Sequence, residues 1–331
     1  MQNTNETNPK TSILSEKLFS LFKTLLFVLI VWMLYKTFKD KQQNIGDLIV
    51  ECQKALVWKN LWKGILLILL IFFNWGFEAK KWQQLALKVE DISFQEAFKG
   101  VLMGLSLGFI TPANLGDYAG RMWKFQHQKR AESIGAILLG NGIQFYISLL
   151  FGTLSFVYFL VTQHQLLLGF NVVVVIVLTI SLFLGFFAYQ KRHLFYLLIL
   201  KIPFLKRFAH TIKILEHFTN QEVKKVFFWG LMRYLTISLQ FVLVLLIFQI
   251  KLNILDLWTI SCLIFLIKTI VPAINFLGDL GIREFSAIYF FSFYQVNTAA
   301  VIAATFVLWL INILFPVLLG SILVLKTKVS I

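Results

Sequence analysis

From about residue 18 onward, the chain is a succession of apolar runs cut by short polar stretches. The runs fall near 18–37, 61–78, 95–111, 133–161, 170–190, 226–250, 255–272, 284–295 and 298–325. Most approach the roughly 20 residues that a helix needs to cross a bilayer. The pattern predicts an all-α, polytopic helical membrane protein with about seven to nine membrane helices. The runs at 95–111 and 284–295 are short and adjoin Pro and Gly. Such runs are expected to be broken or re-entrant segments rather than plain crossings. The polar residues 1–16 form an N-terminal tail, and 17–331 a single integral membrane domain. Two repeat-like halves, about 17–190 and 226–331, are joined by an amphipathic segment over 191–225, where apolar residues alternate with bases. A weaker amphipathic stretch covers 44–59. The first run is too long for a signal h-region and lacks a small-residue cleavage site, so it is expected to be a retained helix.

Composition agrees with this pattern. The chain is 58% hydrophobic and 14% charged, with a mean hydropathy of +0.77, whereas a soluble domain keeps about a quarter of its residues charged. The formal net charge of +15 does not point to nucleic acid, because Lys and Arg gather in the connections between apolar runs. That distribution marks cytoplasmic loops and attracts anionic head groups. The segments 79–94 (Lys80, Lys81, Lys88), 121–130, 190–225 and 326–328 are therefore expected in the cytoplasm, and 162–169, with no Lys or Arg, outside. Both termini are then cytoplasmic, in a multi-pass protein of the cell (inner) membrane. Cys52 and Cys262 are far apart with no CxxC spacing, so neither a disulfide framework nor a cysteine metal site is expected. No cofactor is expected.

The chemistry concentrates in two stretches. Residues 110–121 read ITPANLGDYAGR and residues 271–284 read VPAINFLGDLGIRE. Aligned on Leu-Gly-Asp, Pro112, Gly116, Asp117 and Arg121 correspond to Pro272, Gly278, Asp279 and Arg283, about half a chain apart. Interrupted helices at matching positions of two halves are a transporter signature, and the interruptions mark the substrate site. Pro and Gly leave backbone groups open, which hydrocarbon tolerates only where protein or a watery cavity satisfies them. Asp and Arg at i, i+4 meet on one helix face. Charges inside a membrane are costly and usually functional. The simpler reading is that each Asp neutralises its own Arg; Lys268 and Glu284 add charge that those pairs do not balance. Asn141, Gln144 and Ser148 share one face of the 133–161 run, as a polar groove or as ordinary interhelix hydrogen bonds. Gly100, Gly104 and Gly108 are expected to let a neighbouring helix approach. Arg233 is expected to snorkel to the interface.

At these motifs the chain resembles the lysylphosphatidylglycerol synthetase transmembrane-region family, over nearly its whole length. The family's Pro-x-x-x-Gly-Glu-x-x-x-Arg pattern is met by Pro112, Gly116, Asp117 and Arg121. Its Pro followed by Gly-Gly-x-Gly-x-x-Glu is met by Pro272, Gly278, Gly281 and Glu284. Its Arg-Trp is met by Lys81-Trp82. Asp117 stands where the family has Glu, and Asp279 where it has Gly, departures that bear on head-group preference more than on fold. The last apolar run ends a few residues before Ile331, so no soluble aminoacyl-transfer domain is expected.

The resemblance and the motifs together imply a flippase-like lipid translocator with a polar intramembrane groove. Its partner is a membrane phospholipid or a polyprenyl-phosphate-linked lipid. A lipid-modifying synthetase and a second copy of the chain are further candidate partners. Arg121, Arg283 and Lys268 are the expected phosphate contacts, since guanidinium and ammonium compensate an anion out of water. Asp117, Asp279 and Glu284 would position those cations or carry a proton. No P-loop occurs. The alternative is a membrane-embedded transferase acting on a lipid-linked substrate. It draws on the same charges but finds no HExxH or paired metal spacing among His127, His164, His193, His210 and His217. A third reading, a membrane scaffold, predicts that the motif charges are dispensable.

Overall fold

The computed structural model describes residues 45–111, 114–126, 129–163, 169–191, 197, 200–201, 209–270 and 282–327. Among them there are helices and turns but no strands. In chain order the helices are α1 (Ile45–Ala55), α2 (Leu61–Ala86), α3 (Phe94–Ile110), α4 (Leu115–Arg121), α5 (Arg130–Thr162), α6 (Gly169–Gln190), α7 (Ala209–Ile212), α8 (Asn220–Ile247), α9 (Ile254–Ile270), α10 (Ile282–Phe291), α11 (Thr298–Trp309) and α12 (Phe315–Lys326). The first apolar run, 18–37, and most of 191–208 lie outside the described residues.

Among the described residues, five stretches are long and apolar enough to cross a membrane: Trp58–Ala86, Arg130–Thr162, Gly169–Gln190, Asn220–Ile247 and Thr298–Lys326. The protein is an all-α polytopic membrane protein. Helix starts are set by local chemistry. Ser93 and Glu96 form a reciprocal capping box at α3, and Thr219 and Glu222 form another at α8. The stretch from Thr298 to Lys326 is continuous but contains a π-helical turn at Leu310–Leu314. Pro316 follows it and cannot donate to the carbonyl four residues back, which loosens the regular ladder at that point.

Antiparallel α2 and α8 form the central pair. At one end Lys88 pairs with Glu222 at 2.8 Å; at the other the Asn60 amide donates to the Ile247 carbonyl at 3.3 Å. Helix α5 packs against α8 and α9, α12 against α3, and α6 against α5. Helix α6 buries only Leu178 and exposes Phe183, Leu184 and Phe187, as expected of a helix with one face on protein and the rest on lipid.

Between helices in lipid there is little hydrophobic drive, so close packing relies on small residues. A Cβ on Gly320 of α12 would lie 2.0 Å from the Leu102 carbonyl oxygen of α3, and beside it Ser106 and Ser321 hydroxyls hydrogen-bond at 2.7 Å. The helical turn and 3-10 turn over 209–217 pack Ile214 against Gly135 at the start of α5, with Lys213 and His217 exposed.

The expected exit of the second apolar run after residue 78 is corrected. Helix α2 continues to Ala86, and Lys81, expected in a cytoplasmic loop, is buried inside the helix bundle. Its charge depresses the hydropathy of the run, but the helix persists because that charge is paired within the protein.

A charged pocket closed by a helical hairpin

Helices α3 and α4 form a tight antiparallel hairpin. Gly100 faces Arg121, Gly104 faces Asp117 and Gly108 faces Asn114 and Asp117, at ordinary contact or closer. From the other side, a Cβ on Gly116 would lie 2.3 Å from the Leu107 carbonyl, and one on Gly120 would lie 2.1 Å from the Gly104 nitrogen. Only glycine permits this approach. The break between the helices is stitched by Thr111, whose hydroxyl donates to the Leu107 carbonyl at 3.0 Å and accepts from the Gly116 amide at 2.7 Å. Asn114 takes a left-handed backbone (φ 56°), a conformation that Asn tolerates better than most residues. With seven residues, α4 is about 10 Å long, far short of a bilayer crossing.

The hairpin delivers Asp117 and Arg121 to a pocket of 340 Å³. Helix α2 supplies Trp75, Glu78 and Lys81, α5 supplies Asn141 and Gln144, α8 supplies Arg233, and α9 supplies Lys268. Phe109 and Ile313 form apolar wall. Glu78 is the hub. Its carboxylate lies 2.7 Å from Lys81, 2.9 Å from Arg121 and 3.3 Å from Arg233, and it is 2% exposed. The Arg121 guanidinium also donates its Nε–H to both oxygens of Asp117 at 2.9 Å, so one guanidinium bridges two carboxylates. The Gln144 side-chain oxygen accepts from Lys81 and from Arg233, each at 3.4 Å. Trp82 lies against Arg121 and Trp75 against Arg233, with 5.9 Å and 5.4 Å from guanidinium carbon to ring centroid.

Below this layer, Asn74 donates to Asn312 at 3.0 Å, tying α2 to the π turn. Such turns recur at functional positions in helices.

The charge balance of this cluster is unequal. Among the described residues, Glu78 and Asp117 face Lys81, Arg121 and Arg233, which leaves one positive charge in excess before Lys268 is considered. Taking ions out of water costs several kcal/mol each even after relaxation. The carboxylates offset part of that cost and hold the cations in place, and the remainder is what an anion entering the pocket would neutralise.

A family model, the lysylphosphatidylglycerol synthase TM region, matches residues 20–320. The chain belongs to that family. It is thus a membrane protein with a lipid-related role. No curated protein and no solved structure is matched by the chain.

Among the residues singled out from sequence, Asp117, Arg121, Asn141, Gln144 and Lys268 line this one pocket. Ser148, on the same helical face as Asn141 and Gln144, is buried but does not line it. Arg283 and Glu284 are buried at the start of α10, 1% and 4% exposed, and are not among the lining residues. Pro112, Pro272, Gly278, Asp279 and Gly281 lie outside the described residues. Arg233 departs from expectation: it turns inward to Glu78 rather than out to the interface, because a buried carboxylate and the Trp75 face are there to receive it.

Glu78, Lys81, Arg233 and Asn114 were not among the site residues expected from sequence. Asn74, Glu78 and Lys81 recur at i, i+4 and i+7 in a largely apolar helix, a polar stripe that carried the signal for two of them.

Proposed function

We propose that the protein is a flippase-like translocator that moves an anionic head group between leaflets through this pocket. The observation that carries the reading is the set of four cations (Lys81, Arg121, Arg233 and Lys268) and two carboxylates held in one cavity among helices long enough to span a bilayer. Charges at such depth are expensive and mark ion or substrate paths. The excess of positive charge suits the phosphate of a phospholipid or a polyprenyl-phosphate-linked lipid, with acyl or prenyl tails remaining in hydrocarbon. Arg121, Arg233 and Lys81 are the candidate phosphate contacts, and Glu78 and Asp117 hold them in place.

The hairpin α3–α4 fits a re-entrant segment that enters and leaves on the basic side of the membrane. Helices α9 and α10 are its counterpart in the second half. Each pair is a 17-residue helix followed by a short one that packs against it, in keeping with an internal repeat. The basic connections support a reading in which that side, and both termini, are cytoplasmic and the protein lies in the inner membrane of a cell.

The test is reconstitution into liposomes with a head-group- or tail-labelled anionic lipid. Redistribution of the unchanged lipid, faster than in protein-free liposomes, is the expected result. Conversion of the lipid to a new chemical species identifies a membrane transferase instead. Neither outcome in sealed, protein-loaded vesicles argues for a scaffold.

A further inference from the structure

The α2–α8 pair carries a second concavity outside the pocket. At the end where Lys88 meets Glu222, a groove of 460 Å³ is lined by Gln84, Lys224, Lys225, Phe228 and Trp229. Lys224 and Lys225 are exposed, and neither makes an ion pair among the described residues. The carboxylate next to them in sequence, Glu222, is engaged elsewhere. It pairs with Lys88 at 2.8 Å and accepts from the amide and hydroxyl of Thr219. The groove floor is aromatic: Phe228 is 49% exposed and meets Trp229 edge-on at 5.2 Å between centroids.

Both helices are long enough to span, and the two lysines lie in the first two turns of α8, at the level where a bilayer places its head groups. Lysine at that level attracts anionic lipid, and tryptophan seats there because its ring is amphipathic. Two uncompensated ammonium groups above an exposed aromatic floor match a molecule with an anionic head and an apolar tail. An acidic soluble partner would have no use for the exposed Phe228.

We propose that this groove is a binding site for an anionic phospholipid, its phosphate held by Lys224 and Lys225 and an acyl chain lying along Phe228 and Trp229. The site also has a direction. Trp229 stacks on Phe77 of α2 at 5.8 Å, and one helical turn deeper on the same side of α8 is Arg233 of the central pocket. The stacked pair is the partition between groove and pocket. Resting on the translocation reading above, the groove is the loading position from which lipid reaches Arg233.

The experiment places a photo-crosslinking benzoylphenylalanine at position 228 of the full chain. The protein is put in vesicles containing equal trace amounts of labelled phosphatidylglycerol and labelled phosphatidylcholine. Phosphatidylglycerol is expected to be captured in preference, and Lys224→Gln and Lys225→Gln are each expected to reduce that preference about fivefold, from about 1 kcal/mol per basic residue near an anionic surface. Equal capture of the two lipids, or a preference unchanged in the double variant, overturns the site. Capture of a protein rather than lipid in native membranes also overturns it. The double variant is then assayed for translocation of phosphatidylglycerol. A slower rate supports loading through the groove, and an unchanged rate removes the loading role while leaving the site. Wild-type protein that binds as expected but moves no lipid defeats the translocation reading and not the groove.

Discussion

Replacing Glu78 with Gln is the most direct probe of the pocket. The side chain keeps its shape but loses the charge that three cations share. At an effective dielectric constant near 20, each of the contacts at 2.7, 2.9 and 3.3 Å is worth about 5–6 kcal/mol of Coulomb energy. Most of that is offset by the desolvation of the ions, and the measured cost of breaking one partner out of a buried pair is about 3–5 kcal/mol. Here the value should lie at the upper end, because Lys81 is as buried as Glu78 and cannot swing to water. We therefore predict that Glu78→Gln lowers stability by about 4–5 kcal/mol, followed by denaturant or thermal unfolding in detergent. A second variant separates electrostatics from packing. In Glu78→Gln/Lys81→Met one orphaned cation is gone, and the pair should lose less than the sum of the two single changes, with a coupling above about 1 kcal/mol. The variant also leaves an additional uncompensated positive charge, so added anionic lipid should recover more stability in Glu78→Gln than in wild type. A Glu78→Gln protein within about 0.5 kcal/mol of wild type, the range of an ordinary surface change, would refute the cluster as drawn.

Four further outcomes follow from the same geometry. Gly120→Ala should lose about 1–3 kcal/mol or more by forcing α4 off α3, since the added carbon meets backbone 2.1 Å away. Gly76→Ala, with nothing within 4 Å of the new carbon, should gain up to about 1 kcal/mol from helix propensity; paired unfolding curves check both. Arg121→Lys should cost about 1.5–3 kcal/mol, because one ammonium cannot reach both Glu78 and Asp117 as the guanidinium does; Arg121→Lys with no loss of stability removes the bridge. Asn312→Leu should cost about 1–3 kcal/mol by stranding the buried Asn74 amide, and Asn74→Leu/Asn312→Leu should recover part of it in a double-mutant cycle.

The helices were largely legible in the sequence because lipid demands long apolar runs, and the run ends near 95, 111, 170, 190 and 298 fall within a residue or two of the helix termini. The failures are those of a rule that treats charge as exit. Glu78 and Lys81 closed the second run early, although their charges cancel inside the protein. Arg233, the one charged residue in the 226–250 run, was sent to the interface because a linear scan cannot see a carboxylate on another helix. Asn141 and Gln144 were found by helical spacing, which is local. The partners of Gln144, Lys81 and Arg233, are 63 and 89 positions distant from it, and nothing in either neighbourhood announces that meeting. The glycines at 100, 104 and 108 foretold a close helix, and that helix proved to be the hairpin's own returning arm.

Two independent counts place the pocket along the helices. Glu78 lies eight residues before the end of α2 at Ala86, about 12 Å. Arg121 is level with Gly100, six residues into α3, about 9 Å from its start. The values agree, as they must for side chains that touch, and both put the cluster nearer the basic end than the middle of a core about 30 Å thick. Beyond it the surroundings are mostly apolar, with the buried Asn74–Asn312 hydrogen bond set among them. Phe109, Trp309, Ile313 and Val317 form a buried apolar cluster, and farther along, the other end of α2 and α8 holds an apolar pocket of 490 Å³ beside Trp58. Under the translocation reading, the head group is therefore received close to one face and must still pass a mostly apolar layer that contains the Asn74–Asn312 bond. That layer is the barrier, and it is built partly on the π turn at Leu310–Leu314, where Pro316 has already removed a ladder hydrogen bond. A regular helix there would have to break a bond to shift. This one begins with that bond missing, which makes it the part of the path where a second arrangement costs least.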